Sequence, residues 1–188
     1  MPCLMVYRLI KKLINYSYNK KRENYLLALK ARGLRIGSNV DFAADFFIDP
    51  SHCYLISIGD NCTFSPNVRL ISHDASTKIH TGYTKLGQVN IGDNCYLGDS
   101  VIILPNVTVG NDSIIAAGAV VTKNVPPRSI VAGVPAKLIG DMDSYIHKSK
   151  EEIGSRRVFS SDYRIENLNE AKIKELCLET RDGIAYIE

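Results

Sequence analysis

At 188 residues the chain has room for one domain with appendages, and a hydrophobic content of 45% excludes a chain too polar to build a core. No apolar run approaches about 20 residues, so no membrane-spanning helix is expected, and Arg8 interrupts the one stretch that could have served as a cleaved secretion signal. The net charge of +3 hides an asymmetry: residues 1–35 carry nine Lys or Arg and one Glu, while the remainder is mildly acidic.

That basic segment, residues 1–34, reads as an amphipathic helix. Val6, Leu9, Ile10, Leu13 and Ile14 line one face, and Arg8, Lys11, Lys12 and Asn15 line another. It is expected to pack on the body of the protein or on another subunit, or to touch a membrane surface peripherally. No nucleic-acid motif accompanies the charge, so nucleic acid is not expected as a partner.

A six-residue grammar then begins at Ile36-Gly-Ser-Asn-Val40. Residues 42–57 are irregular, with Asp45 and Asp49 where small neutral residues are expected; either could reach a bound molecule. The period returns in Ile58-Gly-Asp-Asn-Cys62, Phe64-Ser-Pro-Asn-Val68 and Leu70. It is lost again over residues 72–89. From Ile91 to Pro126 it runs without a break: Ile91, Leu97, Ile103, Val109, Ile115 and Val121 are aliphatic. The residues after them are mostly small. Four residues after them stand Cys95, Val101, Val107, Ser113, Ala119 and Val125, small or β-branched.

No α-helix repeats at six with one apolar position, and a simple strand would alternate at two. A hexapeptide supplies a short strand and a corner, and three close one triangular turn of about eighteen residues. The aliphatic residue fills the prism, the small residue four later fits a corner, and glycine after the aliphatic position suggests tight corner geometry. The fold class read from this pattern is mainly β: a parallel β-helix over residues 35–136, with residues 72–89 protruding as a loop of the kind that carries binding surfaces. Residues 137–188 leave the repeat. Asp143–Ile153 and Asn169–Thr180 read as helices that would cap the prism edge.

Of five cysteines, Cys62 and Cys95 hold the small corner position, and Cys3, Cys53 and Cys177 complete an odd count whose spacing suggests neither bridges nor zinc. A reducing cytoplasm is expected.

The repeats, followed by Ala116-Ala-Gly-Ala-Val-Val-Thr-Lys-Asn-Val-Pro-Pro127 and Gly133-Val-Pro-Ala-Lys137, resemble the hexapeptide-repeat acyltransferases over residues 34–140. Within that family the chain looks most like the galactoside and maltose acetyltransferases and the O-acetyltransferases of bacterial capsule and lipopolysaccharide synthesis. The resemblance implies a left-handed β-helix, a homotrimer with active sites between neighbouring prisms, acetyl-CoA as cosubstrate and no metal. It places the catalytic histidine at His73 in Leu70-Ile-Ser-His-Asp74, where many sugar acetyltransferases have His-Pro and this chain has His-Asp. It assigns Gly98, Asp99, Ala117, Thr122, Lys123 and Lys137 to the coenzyme, the lysines meeting its phosphates, and puts Tyr96 where the family often has Trp.

A sugar hydroxyl is almost never ionised at neutral pH, so the reaction needs a base within hydrogen-bond reach. His73 can supply it, with Asp74 or a backbone carbonyl orienting the ring and a backbone N–H near Gly98 meeting the oxyanion. His80, Tyr83 and Asp45 are candidates for the acceptor side; His52 and His147 read as structural or exposed. No cysteine stands where a covalent acyl carrier is expected, so transfer should be direct. The alternatives are N-acetylation of an amino-sugar nucleotide or other small amine, and a non-catalytic scaffold. Serine acetylation is disfavoured because the long helical N-terminal domain of that family is absent. A metal hydratase is disfavoured because His73 and His80 find no third histidine in the regular coils.

Overall fold

The computed structural model describes residues 20–43 and 45–188. The expected helix face at Val6–Ile14 and Cys3 lie outside the described residues. The described residues form two compact units, one ending at Gly140 and the other running from Asp141 to Glu188.

The first unit opens with helix α1 (residues 20–31) and continues as stacked coils of three short strands. The first coil is β1 (Arg35–Ile36), β2 (Asp41–Phe42) and β3 (Phe47–Ile48). The second is β4 (Ile56–Ile58), β5 (Thr63–Phe64) and β6 (Arg69–Leu70). The protruding loop follows as β7 (His73–Asp74), a helical turn α2 (Lys78–Thr81) and β8 (Lys85–Leu86). The third coil is β9 (Val89–Ile91), β10 (Tyr96–Leu97) and β11 (Ile102–Ile103), and the fourth is β12 (Val107–Val109), β13 (Ile114–Ile115) and β14 (Val120–Val121). Strands β15 (Ser129–Ala132) and β16 (Lys137–Asp141) close the unit.

Each coil contributes one strand to each of three sheets. The first face is β1-β4-β9-β12, the second is β2-β5-β10-β13-β15-β16 and the third is β3-β6-β11-β14. The pairings between successive coils are parallel and in register, Leu97 over Phe64 and under Ile115 for example. The six aliphatic residues from Ile91 to Val121 are at most 3% exposed. The residues four later, from Cys95 to Val125, are buried beside them. Fully burying one such aliphatic side chain contributes about 1.5–3 kcal/mol.

The irregular stretch after Val40 is a regular coil as far as Ile48. Phe42 pairs with Phe64, their rings stacked at 4.8 Å, and Ile48 pairs with Leu70. Aromatic rings replace aliphatic chains inside without changing the register.

The corners turn for a different reason from the one the glycines suggest. Asn39, Asp45, Asn61, Asn67, Asn94, Ser100, Asn106 and Asp112 all have φ between 53° and 64°, each three residues after an inward side chain, and Gly118 takes the ninth such place at φ 71°. Asn and Asp tolerate this left-handed conformation because their short polar side chains hydrogen-bond locally. Here they also bond between coils: the Asn39 amide donates to Asn61 at 3.2 Å, Asn61 to Asn94 at 3.2 Å and Asn94 to Asp112 at 3.0 Å. Gly98 and Gly110 serve close packing instead. A Cβ on Gly98 would lie 2.5 Å from the Ala117 nitrogen, and one on Gly110 2.4 Å from the Pro127 nitrogen.

The second unit contains α3 (Met142–Ser155), β17 (Val158–Phe159), α4 (Glu170–Glu179) and β18 (Tyr186–Ile187). Its helices start at Asp141 and Asn169, whose side chains accept from the N–H groups of Ser144 and Lys172. Strands β17 and β18 pair in parallel. No helix among the described residues is long and apolar enough to cross a membrane.

Candidate active site

The site lies at the prism edge where the third face passes into the first. In the first coil that edge follows β3 and carries Asp49; in the second it follows β6 and carries Ile71, Ser72 and His73. The Asp49 N–H donates to the Leu70 carbonyl at 2.9 Å, which fixes Asp49 one rung from Ile71. Ser72 is fully buried, and its carbonyl accepts from the Gly87 N–H at 3.0 Å. His73 then opens a two-stranded antiparallel ribbon, with His73 opposite Leu86 and Asp74 opposite Lys85. The protruding loop is thus a hairpin rooted in the edge, with the histidine at its root and α2 toward its tip.

Asp49 is fully buried, yet its carboxylate is saturated with donors. It accepts from the Ser72 hydroxyl at 2.9 Å, the Ser72 N–H at 3.2 Å and the Ser51 N–H at 3.0 Å. The His73 Nδ1 makes a short hydrogen bond to Asp49 Oδ2. Burial is the largest single influence on this carboxyl and pushes its pKa up; the bonds from His73, Ser72 and Ser51 together outweigh it and hold the pKa below the ordinary aspartate value. An ionised Asp49 assigns the Nδ1 proton of His73 and leaves Nε2 with its lone pair. The His73 side chain keeps 35% of its surface exposed, so the ring is anchored on one side and open on the other.

The ring's orienting partner is therefore Asp49, which corrects the expectation for Asp74. Successive side chains on a strand point to opposite faces, and Asp74 turns away. It accepts from the Ser76 N–H at 2.8 Å and faces the Lys85 ammonium at 3.3 Å. Its pKa is lowered to about 2, first by Ser76 and then by Lys85. Its role is to close the hairpin.

The side-chain partners of His73 are Asp49 and His52, not the acceptor candidates. His80 is exposed on α2, and Tyr83, 80% exposed, stands near the loop tip. Asp45 lies at another edge, between the second and third faces, in an open hollow of about 220 Å³ that it lines with Lys21, Arg22, Tyr25 and Phe46.

The coenzyme candidates divide in the same way. Gly98, Asp99 and Ala117 follow β10 and β13, at the edge between the second and third faces; Thr122 and Lys123 follow β14, at the edge that carries His73. Ala117, Thr122, Lys123 and Lys137 are exposed. Asp99 accepts from the Ser100 hydroxyl at 2.8 Å and from the Gly118 N–H at 2.7 Å. Gly98 is buried against Ala117, and its N–H donates to the Ile115 carbonyl at 2.8 Å. That N–H is committed to the sheet, so an oxyanion donor near Gly98 would have to be a neighbouring N–H.

Sequence reasoning missed two neighbours of His73. The His52 ring packs edge-on to the His73 ring, centroids 5.4 Å apart, and the His52 carbonyl accepts from the Ser72 hydroxyl at 3.2 Å. His52 Nδ1 lies 2.9 Å from the Tyr54 hydroxyl. Aligning Ile48 with Leu70 as inward residues would have placed Asp49 beside the His73 segment; nothing in the sequence points to His52. Among the described residues, no group of three or more His, Cys, Asp or Glu could hold a metal ion.

The repeat pattern matches the family model described as bacterial transferase hexapeptide (six repeats) over residues 88–123. The chain is 32% identical over 140 residues to the galactoside O-acetyltransferase of Escherichia coli (strain K12), covering 70% of this chain and 64% of that protein. A solved galactoside acetyltransferase in complex with coenzyme A is similar with a TM-score of 0.52 and 29% identity, over 70% of this chain and 74% of that one. A hexapeptide-repeat-containing acetyltransferase of Vibrio cholerae O1 biovar eltor, complexed with acetyl coenzyme A, gives a TM-score of 0.53 and 26% identity, over 58% of this chain and 61% of that one. The chain is similar to the hexapeptide-repeat acyltransferases, with a galactoside O-acetyltransferase among its relatives, and its fold is consistent with a left-handed β-helix. It spans 56% and 64% of the lengths of two curated relatives that it matches.

Proposed function

We propose that this protein is an acetyl-CoA-dependent O-acetyltransferase acting on a sugar hydroxyl, with His73 as general base. The observation that carries the reading is the buried Asp49 carboxylate on His73 Nδ1, which leaves Nε2 available on the open side of the ring. His73 Nε2 takes the proton of the acceptor hydroxyl as its oxygen attacks the thioester carbonyl. The ionised Asp49 stabilises the imidazolium that forms. The same imidazolium then returns the proton to the departing thiolate. The relatives named for galactoside acetylation support a carbohydrate acceptor, and those solved with coenzyme A or acetyl coenzyme A support the donor.

Residues suited to the donor are present. Lys123 and Lys137 are exposed cations that can meet phosphate as point charges, and Ala117 is a small exposed residue that lets a pantetheine arm approach the main chain. Ala117 and Lys123 stand on different edges of the prism. A donor that touches both edges while reaching His73 must bridge two copies, so we place the site between subunits of a ring-closed homotrimer. The acceptor contacts of Asp45, His80 and Tyr83 belong to the same reading, each offered across that interface. A cytoplasmic location, and a peripheral membrane contact through the basic N-terminal segment, complete the proposal; co-sedimentation with anionic vesicles tests the second.

The deciding experiment is thiol release from acetyl-CoA with a panel of saccharides. It should proceed with the wild type, disappear in His73→Ala and persist in His147→Ala, a change at an exposed residue paired with Glu151. Mild base should cleave the product, as an ester; a base-stable product would make the enzyme an N-acetyltransferase. Light scattering should give three copies, and a monomer that turns over would refute the shared site.

A further inference from the structure

The bend between the first two coils is longer than a repeat needs. Ile36 pairs with Ile58, 22 positions on, whereas Ile91 pairs with Val109, 18 positions on. The extra residues form a short turn at Cys53–Leu55 with Cys53 as its inward pin. Cys53 is fully buried, and its thiol donates to the Leu29 carbonyl of α1 at 3.6 Å. The residues on either side are left outward: His52 is half-buried and Tyr54 is 48% exposed. Gly33, at φ 101°, leaves room for Tyr54, since a Cβ there would lie 2.9 Å from Tyr54 Cβ. The bend is thus a built feature that holds an imidazole and a phenol beside the catalytic edge.

We infer that His52, set by Tyr54, binds the acceptor through a hydroxyl next to the one that His73 deprotonates. This inference rests on the proposed carbohydrate reading and adds a recognition residue to it. His73 cannot use its Nδ1 for substrate, because Asp49 holds it. His52 presents the complementary pattern. The tautomer we assign has the Tyr54 hydroxyl, 2.9 Å away, donating to Nδ1 and the His52 proton on Nε2, which makes this ring a donor where His73 is an acceptor. With that tautomer one edge carries a base and an N–H donor on rings 5.4 Å apart. Two hydroxyls on neighbouring carbons, each about 2.8 Å from its nitrogen, bridge such a pair. A lone alcohol can engage only one of them. The acceptor class this selects is a ring or chain with adjacent hydroxyls. The Ser72 hydroxyl ties the His52 carbonyl to the segment that carries Asp49 and His73, so the two rings are held on one support.

The test uses methyl galactoside, methyl glucoside and methyl mannoside with acetyl-CoA, each beside its singly deoxygenated analogues. His52→Phe keeps a ring in contact with His73 and removes the donor; His52→Gln restores an N–H at similar reach. The inference expects the acceptor KM to rise about tenfold in His52→Phe, the KM for acetyl-CoA to stay within twofold, and His52→Gln to recover most of the loss. It also expects the wild-type preference for the full glycoside over one deoxygenated analogue to vanish in His52→Phe. Tyr54→Phe should raise the acceptor KM in the same direction by a smaller factor. If the wild type acetylates a glycoside and His52→Phe leaves its KM and its discrimination intact, the inference is wrong while the general reading stands. If His52→Phe lowers kcat with no change in acceptor KM, His52 only supports the His73 ring and the inference is equally wrong. If no glycoside is acetylated by the wild type, the carbohydrate reading falls and takes the inference with it.

Discussion

Asp49, fully buried at the end of β3, accepts a hydrogen bond from Nδ1 of His73, which stands one coil further along the prism and 24 residues later in the chain. A buried carboxylate that is ionised and saturated with donors does two things for an imidazole. It fixes which nitrogen carries the proton, and it stabilises the charge that appears when the other nitrogen takes one.

Asp49→Asn keeps the volume and most of the hydrogen bonds while removing the charge. It should lower kcat/KM by about 10²-fold or more, since the ring loses both its fixed tautomer and its counter-charge. Asp74→Asn, altering a carboxylate turned toward Ser76 and Lys85, should change it by less than about threefold. Steady-state thiol release for both variants checks this, and an equal loss in the two would reinstate Asp74.

Acid stability should follow Asp49. Its folded pKa lies below its unfolded one, so its contribution is fully present above the ordinary carboxylate range near 4 and fades as pH falls through the lower folded value. Asp74, lowered to about 2, acts in the same direction. Thermal unfolding of the wild type between pH 2 and 7 should show a decline below about pH 4. Asp49→Asn should be less stable at neutral pH and show a shallower decline. A variant curve parallel to the wild type would contradict the assignment.

The corner residues should be sensitive to backbone conformation more than to size. Asn94, at φ 56°, should tolerate Gly but lose about 1–2 kcal/mol on replacement by Val, because a β-branched residue resists the left-handed region. Chemical denaturation of Asn94→Gly and Asn94→Val compares the two, and equal midpoints would show that the side-chain ladder outweighs the backbone term.

Gly98→Ala tests the opposite case. Its added Cβ would meet the Ala117 backbone nitrogen, which no side-chain rotation can relieve. A loss of about 1–3 kcal/mol is expected, read as a lower unfolding midpoint. Leu97→Ala, one residue earlier and fully buried, should cost about 2–5 kcal/mol through the cavity it leaves.

The sequence by itself determined the period, and with it which side chains face inward. Ile91, Leu97, Ile103, Val109, Ile115 and Val121 can share one interior only if three hexapeptides close a turn, because no other regular structure repeats at six. The break in that period marked the loop with His73 at its root, where the residues around it resemble the family's catalytic segment. The sequence also held the signal for the corners, in Asn or Asp three places after an inward residue, but the glycines obscured it. Tertiary structure alone decided the partners across coils. Successive coils differ in length, 22 positions from Ile36 to Ile58 and 33 from Ile58 to Ile91, so a fixed period cannot say which residue lies over which. Stacking brought Asp49 and His52 to His73, turned Asp74 toward Lys85, and committed the Gly98 N–H to Ile115. It also set Gly98, Asp99 and Ala117 on one edge and Thr122 and Lys123 on another. The physical reason is that hydrogen bonds between coils join residues remote in the chain, and the lengths of the irregular bends, which follow no repeat, fix the register of those bonds.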